Sequence, residues 1–391
     1  MPALLILSPA PVIEIPGREV VLDVKFVEGM KLHSQFWPGR IRCVLRRGAV
    51  AIPGGMRFSP RRLGFEIVLL DPDEPIPDVL MDEAALVFCA ADDARYLHLP
   101  DRLRGRLTRL VYTLESTPAA RMRGALFERQ RSIWHRLESV AGALRNEASL
   151  RAALRAADGL QFKGYAVQQA YRWLRRDGLI YLDNRLRTPM LARAADQQAR
   201  GARLLKGAPL SLVHIGPLED LTGVMDLLQA AFLLKQRGVN FRLELFGEGA
   251  LAGRLRSGIA AMGLGEQVTL AGNPGFEAEL VPHLRGKADL LLAAGRQPDP
   301  ASLYTEAMGC GVPVLGYANA MWRKLQAESG GGWLSRAGSV SALTAALARL
   351  DGDRQAIIRA SASALDYARG QTFEHVFARR MTHLRSIAGL E

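Results

Sequence analysis

The sequence predicts two doubly wound α/β domains in tandem. Short apolar runs recur between helical stretches along the whole chain, most runs are closed by Gly, Pro or Asp, and 391 residues suffice for two separate cores. The runs do not alternate strictly with polar residues, which is the pattern of parallel strands buried on both faces. In the first half, strands are predicted over 3–7, 41–45, 65–70, 85–90, 110–114, 159–162 and 179–182, with helices over 118–140 and 149–157. Residues 186–208 are basic, Ala-rich and weakly patterned, and read as a linker. That places a first domain at 1–207. A second series follows, with strands over 210–215, 241–246, 268–271, 289–293 and 312–315. Its helices are predicted over 223–237, 250–262, 280–285, 305–310, 339–351 and 353–369, so the second domain covers 208–370. Residues 371–391 hold a last amphipathic helix, expected to cross back to the first domain.

Charge separates the halves. Residues 1–207 hold 33 Lys and Arg against 22 Asp and Glu, a net of +11, whereas residues 208–391 hold 18 against 17, a net of +1. A hydrophobic content of 49% excludes wholesale disorder. Three scattered cysteines, Cys43, Cys89 and Cys310, do not make a disulfide framework or a zinc site and point to a reducing cytoplasm. No apolar run reaches the roughly 18 residues of a membrane span. The start MPALLILSPAP lacks a basic n-region and reads as a first strand. The seven histidines show no metal-binding spacing, and no nucleophile elbow is present.

The nearly neutral half carries the motifs. SLVHIGPLEDLTGVMDLLQAA (211–231) runs strand, Gly216, helix; FRLELFGEGALAGRL (241–255) runs strand, Gly-Glu-Gly turn, helix. VTLAGNPGF (268–276) and ADLLLAAGRQPDPASLYTEAMGCGVPVLGY (288–317) follow. Strand ends followed by Gly and a helix N-terminus suit an anion, because glycine lets backbone approach phosphates and free helix N–H groups favour negative charge. In open α/β sheets ligands bind at the carboxyl ends of the strands, where these turns fall.

On these residues the chain resembles the family-4 glycosyltransferases, retaining enzymes of the GT-B fold, in which two Rossmann-like domains face each other across a cleft. TEAMGCGVPVLGY (305–317) is similar to that family's Glu-Ala-Met-Ala-Cys-Gly-Pro-Val-Val element, the turn 247–249 to its Gly-Asp-Gly, and 213–226 to its Gly-Arg-Leu…Lys-Gly element. The resemblance covers 210 to about 370; KFVEGM (25–30) and DGLQFKGY (158–165) look like its bacterial exopolysaccharide branch. It implies that Glu306 holds the donor ribose, a carboxylate suiting two adjacent hydroxyls. It implies that the loop 300–305, with Ser302, Leu303 and Tyr304, offers N–H groups to the sugar and diphosphate. Gly216, Gly247, Glu248 and Gly249 would line the nucleotide side. The chain departs from the pattern where the family's phosphate-binding Arg and Lys correspond to Pro217 and Thr222, and where its first glutamate corresponds to Pro298. Asp299 is the nearest carboxylate, and Arg296 the nearest replacement cation. Glu306 also fits a plain carboxylate at a helix N-terminus, and Asp299 a turn former.

In the first half, Glu115 and Asp92 close strands, Gly164 follows another, and Glu28 and His33 lie beyond the first strand's loop. Each is a candidate for acceptor binding, with Glu115 and Asp299 as catalytic carboxylates; each also fits a solvated or capping group. The stretch 118–140 combines an apolar stripe of Met122, Leu126, Ile133, Leu137 and Val140 with Arg121, Arg123, Arg129, Arg131 and Arg136. It suits either an ordinary surface helix or one meeting anionic lipid. The expected activity is transfer of a sugar from a nucleotide-sugar to a glycan or polyprenyl-diphosphate-linked acceptor of a bacterial surface polysaccharide. No metal or cofactor is expected, and the expected location is the cytoplasmic face of the plasma membrane. Two alternatives stay open: a non-catalytic homologue acting as scaffold, and a nucleic-acid-binding protein, the latter lacking any recognition-helix or zinc-finger pattern.

Overall fold

The structure is a computed structural model that describes residues 2–17, 19–48, 51–52, 55–126, 133–175, 177–296 and 300–390, with backbone alone at Lys25, 123–126, 133–141 and Ala143. The chain forms two compact units, Met1–Tyr181 with Phe377–Glu391, and Leu182–Val376.

In the first unit the strands run β1 (Ala3–Pro11), β2 (Ile13–Ile15), β3 (Glu19–Asp23), β4 (Ile41–Arg46), β5 (Gly55–Phe58), β6 (Glu66–Leu70), β7 (Ala84–Ala90), β8 (Arg109–Leu114), β9 (Gly159–Lys163) and β10 (Leu179–Tyr181). A parallel sheet has the order β10-β9-β8-β7-β1-β4-β6. Leu4, Leu5, Ile6 and Leu7 are buried one after another in β1. Successive side chains face opposite ways, so both faces of the sheet are covered. The unpredicted elements include the short helices Asp78–Asp82, Leu99–Arg102 and Tyr165–Tyr171, the small antiparallel sheet β2-β3-β5, and the helix Val24–Phe36, started by the Asp23 carboxylate accepting from Phe26 N–H at 3.0 Å. Of the stretch expected as a helix over 118–140, the described residues are helical over Pro118–Leu126 and from Ile133, in a helix that runs on to Ala156. Its stripe at Leu126, Ile133, Leu137 and Val140, and the side chains of Arg123, Arg129, Arg131 and Arg136, lie outside the described residues.

In the second unit the strands are β11 (Leu210–Ile215), β12 (Phe241–Phe246), β13 (Val268–Gly272), β14 (Leu290–Ala293), β15 (Val314–Tyr317) and β16 (Gly332–Ser335). They pair in parallel in the order β13-β12-β11-β14-β15-β16, the doubly wound order in which the chain reverses direction beside its first strand. β16 and the helix Ala320–Ser329 were not among the predicted elements. The helix expected over 305–310 begins earlier, as Ala301–Gly309. Pro300 sits at its N-cap, and Ala301, Tyr304, Thr305 and Met308 bury one helical face.

The stretch 186–208 is not a linker. It holds the helix Ala194–Leu205, part of the second unit, so the unit boundary falls at residue 182 and not at 208. Arg200 explains the difference. Only 2% exposed, it donates through Nε to Ala288 O, through Nη1 to Gly311 O, and through Nη2 to Leu284, Arg285 and Cys310 carbonyls, at 2.7–3.1 Å. These include carbonyls left without helical partners at the ends of the helices Val281–Gly286 and Ala301–Gly309. The helix Phe373–Ile387 returns to the first unit from Phe377 onward, where Gln161 Nε2 donates to Arg380 O at 3.0 Å and Arg380 Nε to Gln161 Oε1 at 2.8 Å.

Two consequences can be measured. Arg200→Met removes the donor to five carbonyls, of which Gly311 O keeps a second one from the Ser361 hydroxyl; each of the other four carries a desolvation cost of about 1–3 kcal/mol before relaxation. Urea denaturation is expected to show the second unit destabilised by about 3 kcal/mol or more; a loss below about 1 kcal/mol would remove Arg200 from this role. His214, 2% exposed on β11, donates Nδ1–H to Leu292 O on β14 at 3.1 Å, and burial pushes its pKa down from 6.5 to about 4. Between those values the unfolded chain binds a proton that the folded chain refuses. Stability is therefore fully present above pH 6.5 and declines as pH falls toward 4, by about 1.4 kcal/mol per pH unit for this group. Thermal midpoints recorded across that window should fall less steeply for His214→Gln than for the natural chain.

Candidate functional site

β11 and β14 lie side by side with Leu212 opposite Leu290 and Val213 opposite Leu291. Beyond their carboxyl ends opens a crevice of about 180 Å³. It stands where the strand order reverses, the place where open α/β sheets bind ligands. Gly216, Pro217 and Thr222 line one side, following β11. Thr222 Oγ1 lies 2.8 Å from the Pro217 and Glu219 carbonyls and closes that turn. Gly223 has φ +69, and a Cβ there would stand 2.2 Å from Ala294 O, so only glycine lets this turn approach the end of β14. Ser302, Leu303 and Glu306 line the other side, from the helix Ala301–Gly309. The stretch expected to be a loop at 300–305 is thus the first turn of that helix. Its leading N–H groups lack intrahelical acceptors, as at any helix start.

Glu306 is 5% exposed and carries a partner that the motif did not announce. Arg185 donates its backbone N–H to Oε1 at 3.0 Å, Nε to Oε1 at 3.0 Å, and Nη2 to Oε2 at 2.8 Å. The guanidinium lies over the Phe276 ring, 3.9 Å from its centroid. Three of the four acceptor positions of the carboxylate are therefore used, and one remains on Oε2. The pair is 121 residues apart in sequence, so no spacing signal joins them. His214 also lines the crevice. Its Nδ1 carries the proton, because the Leu292 carbonyl can only accept; Nε2 is then an acceptor, buried and without a partner.

The other donor-side residues are distributed differently. Arg296 donates through Nη2 to both Asp226 oxygens, at 3.0 and 3.3 Å, and is not among the residues lining the crevice. Tyr317 donates to the same carboxylate at 2.9 Å. Tyr304 is fully buried; its ring stacks on Trp322 at 5.0 Å and its hydroxyl accepts from Asn319 Nδ2 at 3.1 Å, so its side chain serves the core. Gly247 has φ +137, and a Cβ would stand 1.9 Å from Gly216 O. Gly247, Glu248 and Gly249 therefore abut the turn after β11 without lining the crevice, and Glu248 O accepts from Leu218 N–H at 2.9 Å. Pro298 and Asp299 lie outside the described residues.

In the first unit the ends of β7, β8 and β9 bring Asp92 and Glu115 together. Asp92 Oδ2 accepts from Glu115 N–H at 2.7 Å and Oδ1 from Arg121 Nη1 at 2.9 Å; Glu115 accepts from Lys163 Nζ at 2.9 Å. Arg121 also donates to Glu147 and Tyr171, beside a cavity of about 200 Å³ lined in part by Asp92, Arg121, Asn146 and Glu147. Gly164 starts the helix Tyr165–Tyr171 with φ 84. His33 and Glu28 sit on the helix Val24–Phe36, apart from this cluster in sequence. His33 Nδ1 donates to Gly29 O at 2.9 Å, its ring meets Phe377 edge-on at 4.8 Å, and burial pushes its pKa down to about 4. The acidic pairs Asp71/Asp73 and Asp351/Asp353 exist, yet Asp71 is bridged to Arg47 and Asp351 to Arg354. Among the described residues no group of three His, Cys, Asp or Glu is arranged to hold a metal.

Residues 196–363 match the Glycosyl transferases group 1 family. The chain is 26% identical over 183 residues to the amylovoran biosynthesis glycosyltransferase AmsK of Erwinia amylovora, 45% of this chain and 44% of that protein. It is 30% identical over 158 residues to the putative colanic acid biosynthesis glycosyltransferase WcaL of Salmonella typhimurium, 38% of each. These matches span less than half the length of the relatives. Among solved structures, Alr3699/HepE of Anabaena in complex with UDP is similar at a TM-score of 0.63 and 14% identity, covering 99% of this chain and 100% of that one. The sucrose-phosphate synthase of Thermosynechococcus elongatus is similar at 0.64 and 18% identity, covering 99% and 98%. WaaG, a glycosyltransferase involved in lipopolysaccharide biosynthesis, is similar at 0.58 and 14%, covering 99% and 100%. The two parallel-sheet units thus carry the GT-B fold, and within the second the match to the Glycosyl transferases group 1 family spans residues 196–363.

Proposed function

We propose that the chain is a retaining glycosyltransferase that takes a sugar from a nucleotide-sugar and adds it to a glycan or polyprenyl-diphosphate-linked acceptor of a bacterial surface polysaccharide or glycolipid. The observation that carries this reading is the crevice at the carboxyl ends of β11 and β14, where a helix N-terminus, Ser302 and the buried Glu306 converge. A helix N-terminus favours phosphate, and the open position on Glu306 Oε2 accepts a hydroxyl. The complex of the similar HepE with UDP supports a nucleoside diphosphate as ligand, and the names of AmsK and WcaL support polysaccharide as product.

Asp299 and Glu115 are the proposed catalytic carboxylates, and Asp92, Gly164, Glu28 and His33 the acceptor side. The mechanism is positioning plus stabilisation of the departing diphosphate by protein charges without a metal. The proposed location is the cytoplasmic membrane face. No helix among the described residues is long and apolar enough to cross a membrane. Trp173, 56% exposed, lies between Arg151 and Arg155, whose guanidinium carbons stand 5.2 and 5.6 Å from its ring centroid. An exposed indole flanked by cations suits an anionic lipid surface. A second reading, a non-catalytic scaffold, is favoured by one observation: Pro217 and Thr222 stand where the resemblance places two cations.

Thermal-shift titration with UDP, GDP and ADP and their sugars tests the donor reading. A stabilisation by one nucleotide series is expected, with Glu306→Gln weakening it about tenfold, the size of one charge-assisted hydrogen bond. Absence of any shift, together with no transfer or hydrolysis of these sugars, would leave the scaffold. Sedimentation with vesicles containing anionic lipid should show binding of the natural chain and roughly fivefold weaker binding of Trp173→Ala/Arg151→Ala, at about 1 kcal/mol per cation near the surface. Equal binding of the two would take that patch out of the membrane account.

A further inference from the structure

We propose that Arg185 is the cation that receives the ligand's phosphate groups in the crevice, supplying the charge absent at Pro217 and Thr222. This rests on the crevice being the nucleotide site. Arg185 is the only Lys or Arg among the described residues that line it. The rest of the lining is uncharged apart from Glu306, so a diphosphate entering without Arg185 would meet a buried carboxylate and, beyond the partial charge of the helix N-terminus, no cation to offset it. Arg296, the expected substitute, bonds to Asp226 and is not among the described residues that line the crevice.

Geometry leaves Arg185 able to do this work. A guanidinium has five N–H donors, and the two-pronged bond to Glu306 uses one on Nε and one on Nη2. The two on Nη1 and the second on Nη2 remain, on a side chain that is 56% exposed. The carboxylate and the Phe276 ring fix the plane of the fork, so little rotamer freedom is lost on binding. Glu306 then has a second part to play, as the residue that positions Arg185. The unpartnered Nε2 of His214 on the same crevice adds a requirement for a hydrogen-bond donor. A phosphate ester bearing hydroxyls meets both demands, whereas a fully ionised phosphate meets only the first.

Calorimetric titration of the full chain with UDP, uridine and inorganic pyrophosphate tests the proposal. Arg185→Ala is expected to lose tenfold or more in UDP affinity while uridine binding is unchanged. The salt dependence of UDP binding should also shrink. Arg185→Lys should recover part of the loss, since it keeps the charge and not the fork. UDP affinity that is unchanged or tighter in Arg185→Ala would overturn the proposal and make Arg185 a plug over Glu306. The same holds for Arg185→Lys, should the alanine variant not fold. Pyrophosphate bound through Arg185 with no UDP binding would uphold the proposal and sink the nucleotide reading. No binding of any of the three would sink both.

Discussion

One buried guanidinium holds the second unit's site in place. Arg200 gathers carbonyls at the ends of two helices, Val281–Gly286 and Ala301–Gly309, which would otherwise be buried without donors. A buried cation is costly, and here five carbonyl dipoles and the Ser361 hydroxyl compensate it directly, with the buried Asp289 carboxylate acting at longer range. The helix Ala301–Gly309 is thereby fixed at its far end, while its first turn meets the crevice. Glu306, five positions into a helix of nine residues, inherits its position from that anchoring. Arg185 in turn takes its orientation from Glu306. The order of dependence runs from a structural ion to a positioning carboxylate to an exposed cation.

The electrostatics of the crevice follow from which charges are already committed. Asp226, at the first turn of the helix Val224–Gln236, binds both Arg296 and Tyr317 and so draws the most obvious replacement cation away. That bond holds the Arg296 guanidinium more firmly charged, and at the same time faces it toward the carboxylate. His214 stays neutral across the physiological range because burial outweighs its one carbonyl partner. The crevice therefore contains one ion pair of zero net charge and a helix dipole. Under the proposed function a diphosphate leaving group would need stabilisation at the moment its charge grows, and a fork with three unused donors beside a neutralised carboxylate would provide it without reorganisation.

The strands of both parallel sheets, β16 apart, were legible because burial on both faces writes them as apolar runs: 41–45 for β4, 110–114 for β8 and 241–246 for β12 need no partner to be recognised. The sheet β2-β3-β5 was not, since strands of three to five residues in which only Val20 and Leu22 are buried form no continuous apolar run. Residues 186–208 misled for a different reason. Arg-rich, Ala-rich sequence looks solvated, and only the tertiary structure shows that Arg200 is nearly buried while its neighbours are not. In the site, Glu306 was legible from its motif and Arg185 was not, because its partner lies on another element and its own surroundings, DNRLRT, follow no known spacing. Tyr304 entered the motif reading through its backbone N–H, and its side chain packs in the core against Trp322.

The charge of the first half acquires a location once its ion pairs are known. Asp78 and Asp82 are taken by Arg102 and Arg106, Glu66 and Glu83 by Arg42, and Asp92 and Glu147 by Arg121. These acids neutralise arginines on β4, on two helices and in the loop before β8, and leave others uncompensated. Arg57, Arg61 and Arg62 are exposed and make no ion pair among the described residues; they lie on β5 and the turn after it, next to the exposed Met56. Arg151 and Arg155 flank Trp173 and Leu144 is exposed on the same helix, Ile133–Ala156. In both places cations stand beside apolar surface. Nucleic acid would reward the cations alone, with aromatic stacking on bases; a lipid headgroup layer rewards cation and apolar side chain together, because each finds its own depth. The pairing of Arg with exposed Met, Leu and Trp therefore weighs toward a membrane surface, and it does so from residues that net charge could not distinguish.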